Sequence, residues 1–296
     1  MGRNLQFDMN FVKHKIPSPK IAPACLPATV LLHSMPSMFR TRFKNEIVAE
    51  FLPPSRSHKK QKLIILCDGM PSIPRKQPLA EFLAAKGFWV IYPRYRGAWE
   101  SGGEFLESSP HEDIVDILDE LPSELEEVAF GQRFRLAPHQ IFVIGGSFGG
   151  PAAILSSLDS RIQRVVANCP VVDWSILDKA EKAETSNASY ALYIREAFGN
   201  GYRLSDANWN KLRSGTFYNP WRHRSEFDAS KILLFHAKDD PNVPYERTSR
   251  FADITGVKLK TLQRGGHIST DYITRKYWPL IKKFFDSASP ATRNSV

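Results

Sequence analysis

The sequence is poor in cysteine and has no long run of apolar residues. Only three cysteines occur among 296 residues, and the spacing of Cys25, Cys67 and Cys169 matches no metal-binding pattern. Cys67 and Cys169 lie in or beside short apolar runs, so we expect reduced thiols in a core and a cytoplasmic protein. Because no apolar run approaches the roughly 18 residues that a membrane-spanning helix needs, no membrane span is expected.

Acidic residues are scarce at the start of the chain. Positions 1–62 carry eleven Lys and Arg against three Asp and Glu, which accounts for nearly all of the net charge of +9. A basic arm can attract polyanions. Prolines interrupt this arm, however, and it shows no recognition-helix pattern, so we expect a solvated surface and no specific nucleic-acid partner. We assign residues 1–38 to a Pro-rich basic arm and residues 39–290 to one domain.

Beyond the arm, short apolar segments alternate with amphipathic ones. Residues 39–43 and 46–52 flank Lys44-Asn45 and predict an antiparallel hairpin. Apolar strands that alternate with helices predict an α/β fold, with a mostly parallel central sheet covered by helices on both faces. The later strands are predicted at 63–67, 88–92, 141–144, 165–169, 231–236 and 257–261, and the helices at 78–86, after a capping box at 109–112, at 151–158 and at 277–285.

Residues 174–225 interrupt this alternation and hold nine aromatic residues. A long aromatic-rich insertion near the carboxyl edge of a sheet can form a lid or the wall of a substrate pocket. Helices that pack the same aromatic side chains into a core are equally consistent with the composition, and the two interpretations are compatible. We therefore predict a helical, lid-like insertion at 174–225.

The most informative motif is the glycine-rich segment Gly145-Gly146-Ser147-Phe148-Gly149-Gly150. It lies between an apolar strand and a helix whose first turn contains Pro151. In this strand–turn–helix context, G-x-S-x-G presents a nucleophilic serine. Glycines at 145 and 149 permit the sharp turn and leave the Ser147 hydroxyl exposed above the sheet, which predicts a hydrolase.

A serine nucleophile needs a histidine base and an acid that orients the histidine. On this scaffold the chain order is serine, acid, histidine. His267 follows a glycine pair after the last predicted strand, and Asp239 and Asp240 follow the strand at 231–236. Both loops lie at carboxyl ends of strands, where open α/β sheets bind their ligands. Only one of the two acids can face His267, and Asp173, after an earlier strand, is a third candidate.

Acyl transfer also needs two hydrogen-bond donors for the negative oxygen of the tetrahedral intermediate. One is expected to be the backbone N–H of Phe148, the residue after the nucleophile. The other is expected from the loop Asp68-Gly69-Met70-Pro71, with Met70 or Gly69 as the donor. This chemistry implies no metal and no organic cofactor.

Further segments carry a family resemblance. They are Tyr95-Arg96-Gly97, Ser101-Gly102-Gly103, Val172-Asp173-Trp174, Asn219-Pro220 and the run from His236 to Pro244. With the serine and histidine loops, they make the chain resemble the α/β-hydrolase superfamily, and within it the catalytic domain of prolyl-oligopeptidase-type serine peptidases and related esterases. The resemblance covers about residues 40–287 and implies the α/β-hydrolase fold. The family pattern His-Gly-x-x-Asp-x-x-Val-Pro implies that Asp240 is the acid.

The chain departs from this family at several points. Asp68 stands where the family commonly has a histidine, and Ala237 replaces a glycine. About 40 residues precede the resembling region, so the β-propeller of the large members is not expected in this chain. No paired glutamates that would hold a substrate amino terminus are identified. Peptidase activity is therefore not the first expectation.

The expected function is that of a serine hydrolase, which cleaves an ester, thioester or amide of a small-molecule or peptide substrate through an acyl-enzyme on Ser147. His267 is expected to act as base and then acid, with Asp240 orienting it. The alternatives are a peptidase or aminopeptidase of the prolyl-oligopeptidase type, an acyltransferase, and a catalytically silent binding protein on the same scaffold. The side chains expected to shape the substrate pocket are Trp99, Trp174, Tyr190 and Tyr193.

Overall fold

The structure, a computed structural model, describes residues 38–56, 59–121, 124–175, 187–212 and 214–288. The arm predicted at 1–38 lies outside these ranges except for Met38, and so do Cys25 and the stretch 176–186 of the predicted insertion. Within the described ranges, no helix combines the length and the apolar character that crossing a bilayer requires.

Eight strands form one sheet, as the alternating apolar segments predict. Its order is β1-β2-β4-β3-β7-β8-β9-β10. The pairs β1–β2 and β2–β4 are antiparallel, and all pairs from β4 through β3, β7, β8 and β9 to β10 are parallel. The strands are β1 (Phe39–Phe43), β2 (Ile47–Leu52), β3 (Lys62–Cys67), β4 (Trp89–Pro93), β7 (Gln140–Gly146), β8 (Ile162–Asn168), β9 (Ile232–Ala237) and β10 (Lys258–Leu262), and a separate small hairpin contains β5 (Glu124–Glu126) and β6 (Arg133–Arg135).

The predicted hairpin at the start of the sheet is confirmed. Lys44 and Asn45, in the turn between β1 and β2, have φ values of 49° and 59°. Two consecutive residues with positive φ match the right-handed twist of the paired strands, and asparagine tolerates this conformation better than most residues.

Helices cover both faces of the sheet. Leu63 and Ile65 of β3 pack in one core with α2 and α3, whereas Ile64 and Leu66 pack in a second core with α1 and α8. This alternation explains why the central strands are apolar on both sides. The helices are α1 (Gln77–Ala85), α2 (Pro110–Glu120), α3 (Gly149–Ser156), α4 (Asn187–Phe198), α5 (Asp206–Leu212), α6 (Tyr245–Thr255), α7 (Thr270–Lys276) and α8 (Trp278–Asp286).

Two helices and the small hairpin lie where the sequence analysis predicts no element. Helix α6 buries only Thr248, Phe251 and Ala252, so its apolar stripe is narrow. Helix α7 has seven residues, too few for a helical period to emerge. The two strands of the hairpin have three residues each and expose most of them.

Helix α2 begins at the predicted place, but the predicted capping box does not form. Ser109 is the residue before the helix, yet its side chain makes no bond to a helix amide. Its Oγ instead lies 2.7 Å from Nδ1 of His111. Burial lowers the pKa of His111 to about 4, so the ring is neutral at pH 7 and can accept this hydrogen bond.

Both cysteines in the described ranges are buried and free. Burial raises the pKa of the Cys169 thiol to about 12, and the charge of Asp240 acts in the same direction. Cys169 therefore remains a protonated thiol at neutral pH, in keeping with the core position expected for it.

The substitution Gly145→Ala tests how tightly the turn after β7 is packed. The added methyl group would lie 2.2 Å from the carbonyl oxygen of Gly149, which is backbone and cannot move aside. We expect the free energy of unfolding, measured in urea, to fall by about 3 kcal/mol, the upper range for overpacking. Gly102→Ala is the matched control, since its methyl would lie 3.5 Å from Glu46 Cβ, an ordinary contact. Equal losses in the two variants would contradict this packing argument.

Candidate active site

Ser147 occupies the sharp turn between β7 and α3. Its φ is +52°, a left-handed conformation that is costly for a residue with a side chain. The turn is held because the Ser147 N–H donates to the carbonyl of Asn168 at 2.8 Å. A methyl group on Gly149 would lie 2.4 Å from the carbonyl oxygens of Cys67 and Asp68, so only glycine lets the start of α3 approach β3 this closely.

His267 and Asp240 meet at the carboxyl ends of β10 and β9. Nδ1 of His267 lies 2.9 Å from Oδ2 and 3.1 Å from Oδ1 of Asp240. The Asp240 side chain is fully buried, whereas the side chain of His267 is 23% exposed. The carboxylate also accepts the backbone N–H groups of Asn242 and Val243, at 2.9 and 3.0 Å.

A second histidine, His236, supports the same carboxylate from the end of β9. Its ring is fully buried, and its Nε2 lies 2.9 Å from the carbonyl of Val243 and 3.3 Å from Oδ2 of Asp240. Both of these neighbours are acceptors, so Nε2 carries the proton, and Nδ1 has no hydrogen-bond partner among the described residues. Burial acts to raise the pKa of Asp240, but the hydrogen bonds from His236, His267 and the two amides hold it well below its usual range.

These contacts determine which nitrogen of His267 is available for chemistry. Because Nδ1 faces an ionised carboxylate, Nδ1 carries the proton of the neutral ring, and Nε2 is left as an acceptor. Ser147 and His267 line the same cavity. Within the described chain, however, the Ser147 hydroxyl makes no hydrogen bond, and the His267 ring bonds only through Nδ1.

The other two candidate acids have different partners. Asp239 accepts the backbone N–H groups of Gly265 and Gly266, at 2.8 and 2.9 Å, and so orders the loop that carries His267. The Oδ1 atom of Asp173 accepts the N–H of Ser175 at 2.9 Å and the side-chain amide of Asn219 at 3.0 Å.

The candidate donors for the oxyanion differ in whether their N–H groups are already hydrogen-bonded. The N–H of Gly69 donates to Oδ1 of its own neighbour Asp68 at 2.9 Å, so it is not free for a substrate. The N–H groups of Met70 and Phe148 make no hydrogen bond to the described residues, and both residues line the cavity with Ser147. This leaves Met70, not Gly69, as the candidate donor in the loop after β3.

The cavity has a volume of about 810 Å³ and an aromatic wall from the insertion. Trp174 and Tyr190 line it, as the sequence analysis expects. Trp99 and Tyr193 are not among its lining residues. The Trp99 indole N–H donates to the carbonyl of Ser72 at 3.2 Å, so this side chain is hydrogen-bonded to the loop after β3. Tyr193 is 50% exposed. Additional lining side chains from the insertion are Trp209 and Leu212.

Asn168, at the end of β8, is a site residue that the sequence analysis does not identify. It is buried, its carbonyl accepts the Ser147 N–H, and its side-chain amide donates to the carbonyl of Ile268. Asn168 thereby connects the serine turn to the histidine loop. Its only sequence signal is that it is the one polar residue in the apolar run 165–169, at the carboxyl end of a strand.

In the described ranges, one group of side chains has the spacing of metal ligands. A ligand atom from each of Cys169, His236 and Asp240 lies within 4.8 Å of the others. The oxygens of Asp240 already accept hydrogen bonds from two histidines and two amides, so they are engaged within the protein. We therefore assign this group to support of the Asp240 carboxylate.

Comparison with known protein families identifies one that matches this chain. The model of the prolyl oligopeptidase family matches residues 78–278, more than half of the chain. The matched region contains Ser147, Asp240 and His267, and it begins after the loop of Met70.

Solved structures with the same fold include both peptidases and esterases. An acylaminoacyl peptidase of Pyrococcus horikoshii superposes with a TM-score of 0.57 at 16% identity, over 88% of this chain and 43% of that one. An esterase of Pyrococcus furiosus superposes with a TM-score of 0.58 at 18% identity, over 84% of this chain and 89% of the esterase. Est1E of Butyrivibrio proteoclasticus has a TM-score of 0.56 at 14% identity, over 85% of this chain and 100% of its own. The chain thus spans less than half of the length of the peptidase. At sequence identities this low, the superpositions show a shared fold.

The buried Asp240 carboxylate should make stability depend on pH. Its pKa in the folded protein lies below the ordinary value of about 3.9. The stability that the ionised carboxylate adds to the folded protein is therefore fully present above about pH 4, and it is lost as the pH falls through the pKa of the folded protein. We expect Asp240→Asn to lower the free energy of unfolding by about 2 kcal/mol at pH 7, for the loss of charge-assisted hydrogen bonds.

The difference in free energy of unfolding between wild type and Asp240→Asn, measured in urea at each pH, should then narrow steadily as the pH is lowered below about 4. Asp239→Asn, at the adjacent exposed carboxylate, controls for the removal of one acidic group from the same loop. A difference that stays constant down to the lowest pH would contradict the role given to the buried carboxylate.

Proposed function

The chain belongs to the prolyl oligopeptidase family of serine hydrolases, and we propose that within this family it hydrolyses an ester, thioester or amide through an acyl-enzyme on Ser147. His267 acts as the proton-transferring group and Asp240 orients it. The observation that carries the proposal is the 2.9 Å contact between His267 Nδ1 and the buried Asp240, in the cavity that Ser147 also lines.

In the first half of the reaction, the Ser147 hydroxyl attacks the carbonyl carbon of the substrate. Nε2 of His267 accepts the hydroxyl proton, and Asp240 stabilises the positive charge that forms on the ring. The substrate oxygen becomes negative and accepts hydrogen bonds from the N–H groups of Phe148 and Met70. The loss of one such donor typically costs about 3 kcal/mol of transition-state stabilisation.

In the second half, His267 gives its proton to the departing alcohol, thiol or amine, which leaves the acyl group on Ser147. A water molecule then attacks the acyl-enzyme while His267 accepts its proton. The second tetrahedral intermediate collapses, the bond to the Ser147 oxygen breaks, His267 gives its proton to that oxygen, and the acid leaves. In the reacting complex the Ser147 hydroxyl and Nε2 of His267 come within hydrogen-bond reach, since catalytic hydrogen bonds often tighten only when substrate binds.

The cavity supports a small-molecule or peptide substrate with an apolar acyl part. Its wall from the insertion contains the rings of Trp174, Tyr190 and Trp209, and Trp174 lies near the candidate oxyanion residue, with ring centroids of Trp174 and Phe148 6.0 Å apart. Aromatic side chains at this place favour an apolar or planar group bonded to the reacting carbonyl.

A peptidase is the second candidate function. It is favoured by the family match and by the shared fold of the acylaminoacyl peptidase. An acyltransferase would use the same three side chains with an acceptor other than water. A binding protein without catalysis is the remaining alternative, and it is compatible with the absence, among the described residues, of a hydrogen bond between the Ser147 hydroxyl and the ring of His267.

A fluorophosphonate probe tests the nucleophile directly. We expect it to label the wild type and to leave Ser147→Ala unlabelled, with peptide mapping that locates the adduct on Ser147. Ser269→Ala is the matched control and should stay labelled, since Ser269 lines the same cavity but its hydroxyl accepts the N–H of Tyr272 at 3.3 Å. Equal labelling of wild type and Ser147→Ala would reject the assignment, and an unlabelled wild type would favour the binding protein.

The same preparation then identifies the bond that is cleaved. Aryl esters and thioesters of increasing acyl length are compared with peptide amides by kcat/KM, and an added alcohol or amine acceptor is followed by product mass. Hydrolysis of esters with little cleavage of peptides supports the first candidate. Peptides cleaved as efficiently as esters would favour the peptidase, and acylated acceptor in excess of free acid would favour the acyltransferase.

A further inference from the structure

Asp68 brings a negative charge to a place where it is chemically unfavourable. It follows β3 directly and lines the cavity with Ser147. Only Gly69 separates it from Met70, and a methyl group on Gly69 would lie 3.4 Å from Cβ and 4.0 Å from Oγ of Ser147. An intermediate formed on Ser147 carries a negative oxygen at this place, and like charges at short range repel each other.

The carboxylate nevertheless gives order to the loop after β3. Its Oδ1 accepts the N–H of Gly69, and its Oδ2 accepts the hydroxyl of Ser72 at 2.8 Å and the hydroxyl of Tyr92. The Asp68 carbonyl accepts the hydroxyl of Tyr95 at 3.1 Å. Because the Gly69 N–H is turned toward Asp68, the next amide, that of Met70, is left for the substrate.

Lys76 supplies the charge that compensates Asp68. Its Nζ lies 2.9 Å from Oδ1 of Asp68, and the two side chains are 23% and 11% exposed. In the described part of the chain, no other cation lies within ion-pair distance of this carboxylate. The guanidinium of Arg94, which stacks 4.4 Å from the centroid of the Tyr92 ring, is paired with Glu50 at 2.9 Å.

We propose that Lys76 is a positioning residue whose ammonium neutralises Asp68, so that a carboxylate can order the oxyanion loop without repelling the anionic intermediate. This inference rests on the proposed function, because it needs an oxyanion to form beside Ser147.

The test uses the charge-removing variants Lys76→Met, Asp68→Asn and the double variant. Without Lys76, the unpaired carboxylate should lower kcat for an aryl ester, and the rate of fluorophosphonate labelling, by about tenfold or more, with KM within about twofold. Replacing Asp68 by asparagine as well should recover at least about threefold of the lost rate, because the pair then carries no net charge, although asparagine keeps only part of the hydrogen bonds that order the loop. Lys76→Arg keeps the positive charge and should retain at least about half of the wild-type rate.

Lys62→Met is the matched control. Lys62 pairs with Asp286 at 3.4 Å at the other end of β3, away from the cavity, so its loss should leave the rate unchanged. Thermal unfolding of every variant separates loss of rate from loss of fold. If Asp68→Asn fails to fold, the rates of Lys76→Met and Lys76→Arg still show whether the positive charge is needed. Both variants are expected to fold, because the Lys76 side chain is partly exposed.

Several results would overturn the inference while leaving the proposed function intact. One is a Lys76→Met rate equal to wild type. Another is a double variant as slow as Lys76→Met, which would mean that the uncompensated charge of Asp68 is not what slows the reaction. A rise in KM with unchanged kcat would likewise assign Lys76 to substrate binding. If the wild type is neither labelled by the probe nor active on any ester, the proposed function fails and this inference fails with it.

Discussion

The buried carboxylate of Asp240 is the interaction on which the site depends. A charged group without solvent is costly unless hydrogen bonds replace the lost water. Here two imidazoles and two backbone amides do so, and they come from the end of β9 and from the loops after β9 and β10. The same contacts that keep Asp240 ionised also fix the ring of His267, so stability and chemistry rest on one set of hydrogen bonds.

The parallel sheet explains why residues far apart in sequence meet. The carboxyl ends of β3, β7, β8, β9 and β10 lie at one edge, and each contributes a loop to the cavity. Asp68 and Met70 follow β3, Ser147 follows β7, and Asn168 ends β8. The sheet alone does not fix the distances between the side chains of these loops. Backbone contacts between the loops, such as that of the Ser147 N–H with the Asn168 carbonyl, fix them.

Local signals in the sequence were sufficient for the fold and for the serine turn. Apolar strands, the Lys44-Asn45 turn and the glycines around Ser147 each act through their own backbone, so they can be identified without tertiary contacts. The choice between Asp239 and Asp240, or between Gly69 and Met70, depends on where one amide or carboxylate points. That direction is set by contacts across the fold, so the residues themselves left both choices open, and only the family resemblance favoured Asp240.

The most direct test is ¹⁵N NMR of the His267 ring, assigned by comparison with His267→Gln. While the ring is neutral, we expect Nδ1 to be protonated and Nε2 not, because Asp240 accepts the Nδ1 proton. In Asp240→Asn this single tautomer should give way to a mixture. A wild-type ring protonated on Nε2, or a tautomer mixture that Asp240→Asn does not change, would contradict the role of Asp240 as the group that orients His267.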